Sequence, residues 1–474
     1  MTRTRFAPSP TGFMHVGNLR TGLFAWLTAR HASGQFVLRL EDTDKNREVE
    51  GSAAHILECL AMLGLDRDEG IDIGGPYAPY KQSERLDIYR VWAQKLIEQG
   101  RAYADPYTSE QVQVFREQAR AEKRPFLYRN HRPENPAAWD GSTPLRFKSD
   151  PASYEWHDEV MGNLHAGPEV IDDFILIKSD GYPTYNFAHI VDDAEMKITH
   201  VIRGQEFLSS MPNYLNLYDA LGVERPLFAT MPHIMNEQGN KKLGKRDGAK
   251  DVLDYIKNGY LPEALLSFIA TLGWNDGTEQ EIFTRDELIA KFSLDRVQRS
   301  GARFDEKRLL WMNGQFIRGL SLDDLESRVE HFWPESAADA NDEYRKTVLA
   351  LAQDRMKTLT DLPALASYFF TEPTPNWSMI DDNKQLKKLE RSRQIELLQA
   401  AHDALAKSDF TVDELQATLN QLLESTGEKP GTLFSLIRFA ITWAPFSPGL
   451  PETMQVLGSS LVLKRLQKAV ETAK

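Results

Sequence analysis

Cysteine is almost missing from this chain: Cys59 stands alone among 474 residues, which rules out an internal disulfide and gives no sign of secretion. Long apolar runs are missing too. No stretch of about 18 apolar residues occurs, and the start shows no basic region followed by an apolar one, so the expectation is a soluble, cytoplasmic protein without a membrane partner. Positive charge is in short supply: 56 Lys and Arg face 69 Asp and Glu, a net charge of −13. That balance argues superficially against a polyanionic partner. Net charge is not distribution, however. Arg116, Arg120, Lys123, Arg124, Arg129 and Arg132 crowd one segment, and Lys384, Lys387, Lys388, Arg391 and Arg393 another. Solvated helix faces are the bland reading of both clusters; phosphate contacts are the other.

What is present in quantity is core material, 41% hydrophobic and 10% aromatic, enough to fill the roughly two to four domains that this length implies. The most informative stretch is Arg5 to Asn18. Pro8 and Pro10 end a short strand, Gly12 permits a tight turn, and His15, Gly17 and Asn18 fall where amides at a helix start can face an anion. Leu19, Leu23, Trp26 and Leu27 then make an apolar stripe at helical spacing, with Arg30 and His31 at its negative end and Gly34 breaking it. Alone, the loop is a weak signal, because His15 serves equally well as a helix cap. Far downstream, Lys241-Lys242-Leu243-Gly244-Lys245-Arg246 is a basic loop able to close over the far end of a polyphosphate.

Together the two elements resemble the HIGH and KMSKS signatures of class I aminoacyl-tRNA synthetases, here as His15-Val16-Gly17-Asn18 and Lys242-Leu243-Gly244-Lys245-Arg246. Arg5 to Gly12, Leu38-Arg39-Leu40-Glu41-Asp42-Thr43-Asp44 and His200-Val201-Ile202-Arg203-Gly204 narrow the resemblance to bacterial-type glutamyl-tRNA synthetases, along the whole chain. The resemblance implies an α/β fold: a Rossmann-like parallel-sheet catalytic domain (1–100 and 186–250) interrupted by an acceptor-end-binding domain (101–185). A stem-contact helical domain (251–320) and a helical anticodon-binding domain (321–474) are expected to follow.

The residues support this outline unevenly. Gln35 to Leu40 has strand character with Glu41 at its carboxyl end, where open parallel sheets bind ligands. Helices are expected over about Val49–Leu63, with Cys59 as a small apolar residue, and over 81–99. The alternation of helix and strand fades from 101 onward. Many relatives carry a cysteine-containing zinc site after an Ala-Tyr pair; this chain reads Ala102-Tyr103-Ala104-Asp105-Pro106-Tyr107, and His131 lacks a matching cluster, so no structural zinc is expected. The sheet is expected to resume at Phe174–Ile177 and continue, after a turn, through Pro183–His189. From 321 the sequence reads only as helical.

Glutamate recognition asks for cations facing two carboxylates and an acceptor facing the ammonium, a specification that Arg5, Arg203 and Glu41 meet at expected strand ends. Ser9 and Tyr185 are added by the resemblance, and His189 as a neighbour that serves equally well as a structural residue. Gly12, His15, Gly17, Asn18 and Glu206, with Lys242 and Lys245, are expected at ATP, and His15, Lys242 and Lys245 in catalysis. Gln205-Glu206-Phe207 departs from the family's usual Glu-Asp-His, and Gly244 replaces its usual serine. Mg2+ is expected with ATP, without a dedicated cage. Arg355, in Asp354-Arg355-Met356-Lys357, matches an arginine that some relatives use on the last anticodon base; a donor-only side chain suits cytosine there better than guanine. The expected activity is glutamate–tRNA ligation by a monomer that charges tRNA(Glu) and not tRNA(Gln). The rivals are a non-discriminating enzyme, a glutaminyl enzyme, a small-molecule adenylyltransferase, a truncated tRNA-modifying relative and an inactive tRNA-binding paralogue.

Overall fold

A computed structural model describes residues 1–244, 250–444 and 446–473. The chain divides into two compact units, one made of residues 1–255 and 265–306, the other of 256–264 and 307–474. The segment expected as 251–320 is therefore shared between them.

In the first unit, β1 (Arg3–Phe6) leads through the His15 loop into α1 (Val16–His31), followed by β2 (Gln35–Leu38), α2 (Ser52–Met62), β3 (Glu69–Gly70) and α3 (Leu86–Glu98). Next come β4 (Ala102–Ala104), α4 (Ser109–Ala121), β5 (Leu145–Phe147), β6 (Tyr154–Asp158), β7 (Gly162–Ala166) and β8 (Ile175–Ile177). The unit continues with α5 (Tyr185–Glu195), β9 (His200–Gly204), α6 (Met211–Leu221), β10 (Leu227–Met231) and β11 (Ile234–Met235). Seven strands form one sheet in the order β3-β2-β1-β9-β10-β6-β7. All neighbours in it are parallel except the β6–β7 hairpin. This is the expected Rossmann-like core. The chain winds outward from β1 to β3 and returns on the other side of β1 with β9, so a crevice opens between the carboxyl ends of β1 and β9.

β1 is buried along its whole length although it reads Arg-Thr-Arg-Phe. It survives burial because each arginine meets an acid: Arg3 bonds Glu69 on β3 at 2.7 Å and Arg5 bonds Asp193 on α5 at 3.1 Å. The apolar filling comes from residues such as Val37, Tyr89, Phe187, Leu215 and Phe228, each nearly inaccessible.

Three sequence expectations are corrected here. Ile175–Ile177 does not resume the central sheet; it forms a separate three-stranded antiparallel sheet with β4 and β5. A three-residue apolar run cannot say which sheet it joins. The Pro183–His189 stretch is not a strand, since α5 begins at Tyr185, and Phe187, Ala188, Ile190 and Val191 bury at helical spacing. The helix expected over 81–99 begins only at Leu86, after a short turn at Gln82–Glu84.

The second unit is helical in its described residues, from Glu306–Gly319 to Ser459–Thr472, with a core that includes Ile317, Leu349, Leu398, Leu436 and Leu466. No helix of the described residues is long and apolar enough to cross a membrane.

The β6–β7 hairpin, from within 101–185, joins the central sheet by backbone pairing of β6 with β10 and by one side chain. Buried Asp158 accepts hydrogen bonds from the Val160, Met161 and Thr230 amides and the Thr230 hydroxyl at 2.6–3.1 Å. Asp158→Ala strands those donors and should cost about 2–4 kcal/mol, seen as an earlier first transition in urea unfolding followed by circular dichroism.

Candidate functional site

The crevice between β1 and β9 opens into a cavity of about 610 Å3. Arg5, Ser9, His15, Gly17, Asn18, Glu41, Tyr185, Arg203, Glu206 and Lys242 all line it, so positions spread over more than two hundred residues meet in one place. Gly12 does not; it lines a second recess of about 200 Å3 with Phe13 and Ile56. Lys245 lies outside the described residues. Arg355 belongs to the other unit.

At the start of α1, His15 is a cap: its Nδ1 accepts the Gly17 amide at 3.1 Å. That amide is therefore already bonded to the protein. The folded-back ring also explains the glycine, since a β-carbon at Gly17 would come within 3.0 Å of it.

The floor is a web of buried charge. Arg39, fully buried, bonds Glu41 at 3.0 Å and Asp193 at 2.8 Å, and lies 3.6 Å from Asp192. Asp193 also takes Nε of Arg5, whose Nη1 donates to the Ile202 carbonyl at 3.1 Å. Asp192 takes Arg85 at 2.7 Å and the Tyr89 hydroxyl at 2.9 Å. The arginines beside Asp193 hold its carboxyl down to about 2 against the opposing effect of burial. Glu41 goes the other way: burial pushes it up to about 7, with Arg39 and Arg5 opposing. Asp192, Asp193, Arg39 and Arg85 were not singled out in the sequence. One signal was there to be read: two adjacent acids in the last turn of a helix oppose its dipole and so call for buried cations.

Arg203 differs from every arginine in that web. It is 5% exposed, and no carboxylate pairs with it among the described residues. Its Nη1 donates to Nε2 of His189 at 3.3 Å, Nη2 reaches the Met211 sulfur, and the guanidinium lies 4.8 Å from the Tyr214 ring and 5.4 Å from that of Phe207. His189 in turn donates from Nδ1 to the Tyr185 carbonyl at 2.7 Å, which leaves Nε2 as the acceptor. Burial and the neighbouring Arg203 push His189 down to about 3. A neutral ring thus holds a charged arginine. Tyr185 is stacked between His189 and Phe207, at 4.7 and 5.1 Å, and burial with nearby Glu41 keeps its phenol protonated.

At the mouth, half-exposed Glu206 lies 3.7 Å from the Lys242 ammonium and 3.9 Å from His233. Arg20 on α1, another residue missed in the sequence, clamps the Leu272 and Pro232 carbonyls and is lowered to about 10 by burial.

Where the zinc-bearing relatives prompted comparison, Asp105 accepts both Nε and Nη2 of Arg146, at 2.9 and 2.7 Å, and the Tyr128 hydroxyl. His131 stacks on Phe115 at 4.2 Å. The basic clusters are partly spent inside the protein. Arg132 pairs with Asp173, Arg391 with Asp381, and Arg393 with Glu396 and Glu428. In the helical unit, Arg355 is exposed and approaches Arg438, whose guanidinium is lowered by burial and by that like charge; no carboxylate pairs with either among the described residues.

Comparisons with known proteins agree with this geometry. Residues 1–311 match the family described as tRNA synthetases class I (E and Q), catalytic domain, and residues 324–470 match an anticodon binding domain. A glutamate–tRNA ligase of Clostridium botulinum is 40% identical over 483 residues, covering all of this chain and 98% of its own; that of Dehalococcoides mccartyi is 40% identical over 477, covering 99% and 97%. A crystal structure of a glutamate tRNA ligase from Elizabethkingia meningosepticum, in complex with its amino acid, superposes with a TM-score of 0.87 at 34% identity, covering both chains fully.

Acid unfolding tests the state of His189. With a pKa near 6.5 when unfolded and about 3 when folded, it makes the unfolded chain the better proton binder between those values. Stability therefore falls as pH drops through that window, by up to about 1.4 kcal/mol per unit. His189→Gln keeps an acceptor for Arg203 but does not titrate, so its urea midpoint should fall less than the parent's between pH 6.5 and 4.5.

Proposed function

The chain belongs to the class I tRNA synthetases, among the glutamate–tRNA ligases, and we propose that the cavity between β1 and β9 is where it joins L-glutamate to ATP before passing the glutamyl group to the 3′ end of tRNA(Glu). One observation carries this reading most: Arg203 is a buried guanidinium that lines the cavity with no carboxylate paired to it among the described residues. A desolvated cation of that kind is stable beside a ligand anion. Glutamate supplies two carboxylates, taken by Arg203 and Arg5, and an ammonium, taken by Glu41, with Ser9 and Tyr185 adding hydrogen bonds. An amide in place of the side-chain carboxylate would turn donors toward a donor-only arginine. Losing one charge-assisted bond of about 1.5–3 kcal/mol disfavours glutamine by roughly tenfold or more.

The α-carboxylate is already an anion, so its attack on the α-phosphorus needs no general base; catalysis is positioning and charge stabilisation. His15, Gly17, Asn18 and Glu206 hold ATP, with Gly12 behind them, while Lys242 and Lys245 neutralise the charge that builds toward pyrophosphate. Mg2+ adds countercharge to the phosphates when it arrives with ATP. Among the described residues, Glu206 is the cavity carboxylate outside the arginine web and would be the side chain to meet the ion.

In the helical unit, Arg355 reads the last anticodon base and prefers cytosine, whose O2 and N3 accept, over guanine, whose N1 and N2 donate. Its partners are thus tRNA(Glu), L-glutamate and ATP, and it works as a cytoplasmic monomer.

Aminoacylation with radiolabelled glutamate and separate tRNA(Glu) and tRNA(Gln) transcripts tests the reading. Charging of tRNA(Glu) alone is expected, and Arg355→Gln should narrow the gap between the two. Charging of both would keep the enzyme and refute discrimination; charging of neither by folded protein would favour the inactive tRNA-binding paralogue. A pH series tests Glu41. With its pKa raised to about 7, it is largely neutral at pH 6 and offers the ammonium no charge, so KM for glutamate should fall several-fold from pH 6 to 8. Glu41→Gln should flatten that dependence.

A further inference from the structure

Outside the cavity, one cluster of chemistry-bearing side chains has no role in the reaction as described: His55 and Cys59, one turn apart on α2, and Asp251, just past the lysine loop. Their ligating atoms lie within 4.8 Å of one another, which raises the question of a metal.

The hydrogen bonds answer it differently. Nδ1 of His55 accepts the Met14 amide at 3.3 Å, and Nε2 faces Oδ1 of Asp251 at 2.7 Å. An imidazole that accepts at Nδ1 carries its proton on Nε2 and donates it to the carboxylate, so neither nitrogen has a lone pair to spare. Burial pushes the Cys59 thiol up to about 12, so the sulfur, 3.6 Å from Nδ1, stays protonated. The ring is held in place by Phe13, stacked at 4.6 Å.

What the ring joins matters more than the ring itself. Met14 immediately precedes His15, and Asp251 closes the chain segment that starts at Lys241. The backbone makes the same junction, with an antiparallel bridge between His15 and Asp251 and a 3.0 Å bond from the Val252 amide to the Met14 carbonyl. At its other end the lysine segment is tied to β11, where Leu243 donates to Ile234 at 2.8 Å and Lys242 bridges Met235. Asp251 itself is anchored by the Leu253 amide at 2.9 Å.

We propose that His55 is a positioning residue: through the Met14 amide and Asp251 it fixes the exit of the lysine segment against the His15 loop, so that the two phosphate-handling elements keep one register. The inference rests on the reading of the reaction given above. It predicts an effect on the ATP step and little on glutamate, whose recognition sits on Arg5, Arg203 and Glu41.

Measured as tRNA-dependent ATP–pyrophosphate exchange, His55→Ala and Asp251→Ala should each lower kcat on the order of tenfold, with KM for glutamate kept within about twofold. The double variant should be no slower than the slower single one, because both remove the same link. His55→Gln keeps a donor toward Asp251 and should recover most of the rate; His55→Asn, too short to reach it, should not. If His55→Ala fails to fold, Asp251→Asn against Asp251→Ala carries the test, since the amide oxygen still accepts from Nε2 and only the first should approach the parent. Unchanged kcat, losses that multiply in the double variant, or KM for glutamate rising as kcat falls would overturn the proposal. So would one Zn2+ retained after dialysis by the parent and not by Cys59→Ser, which would make the cluster a metal site. A parent protein that does not charge tRNA(Glu) refutes the reading of the reaction and this inference with it. A parent that charges while its variants match it refutes this inference alone.

Discussion

The first unit depends on a buried line of alternating charge, Arg85, Asp192, Arg39, Asp193 and Arg5, with Glu41 attached at Arg39. Isolated charges at that depth would each cost several kcal/mol, and the line is tolerable because Asp192 and Asp193 each face more than one donor and Glu41 faces Arg39. It joins β1, the stretch after β2, the turn before α3 and the last turn of α5, which are the elements that enclose the crevice. Three guanidiniums balance three carboxylates. Arg203 is left over, as is Arg20, which lines the same cavity and donates only to carbonyls, so the cavity wall carries positive charge in excess, and the protonation of Glu41 near neutrality adds to it.

This arrangement explains which parts of the site were legible in the sequence. Glu41 and Arg203 could be placed because each follows a short apolar run, and in a parallel sheet the carboxyl ends of strands converge; Arg5, which follows Arg3-Thr4 and no apolar run, was placed by the family motif Arg5 to Gly12. The residues that orient them could not. Asp193 lies 188 positions from Arg5, and nothing local to either reports the pairing. The α5 helix was misread for a related reason: Pro183-Thr184 and the alternating look of Tyr185 to His189 suggest a strand, while the helical pairing of Tyr185 with His189 becomes meaningful only once Phe207 and Arg203 are known to pack there. The helical unit shows the opposite balance. Its fold class was plain from leucine and alanine periodicity, yet Arg438 beside Arg355 was invisible, because two arginines on distant helices have no common pattern.

The departures from the family's usual residues are local in effect. In Gln205-Glu206-Phe207 the acid survives one position along the turn and sits near Lys242, and Phe207 supplies a face to both Tyr185 and Arg203. An aromatic ring there does part of what a charged neighbour would do for Arg203, at no cost to its charge. Asp105, likewise, ties the start of the 101–185 segment to Arg146 with an ion pair and to Tyr128 with a hydrogen bond.

How Arg203 is held decides what it can recognise. Had a carboxylate stood where His189 stands, the guanidinium would be equally well oriented and its charge would be spent, leaving a site with little reason to prefer a carboxylate ligand over an amide. A protonated histidine would repel it. The neutral ring avoids both, because its Nδ1 proton is committed to the Tyr185 carbonyl, which turns Nε2 toward Arg203 as an acceptor. The surrounding ring faces stabilise the cation without neutralising it. Orientation and charge are thus supplied by different groups, and on the reading proposed for this cavity that separation is what would leave Arg203 able to prefer a carboxylate over an amide.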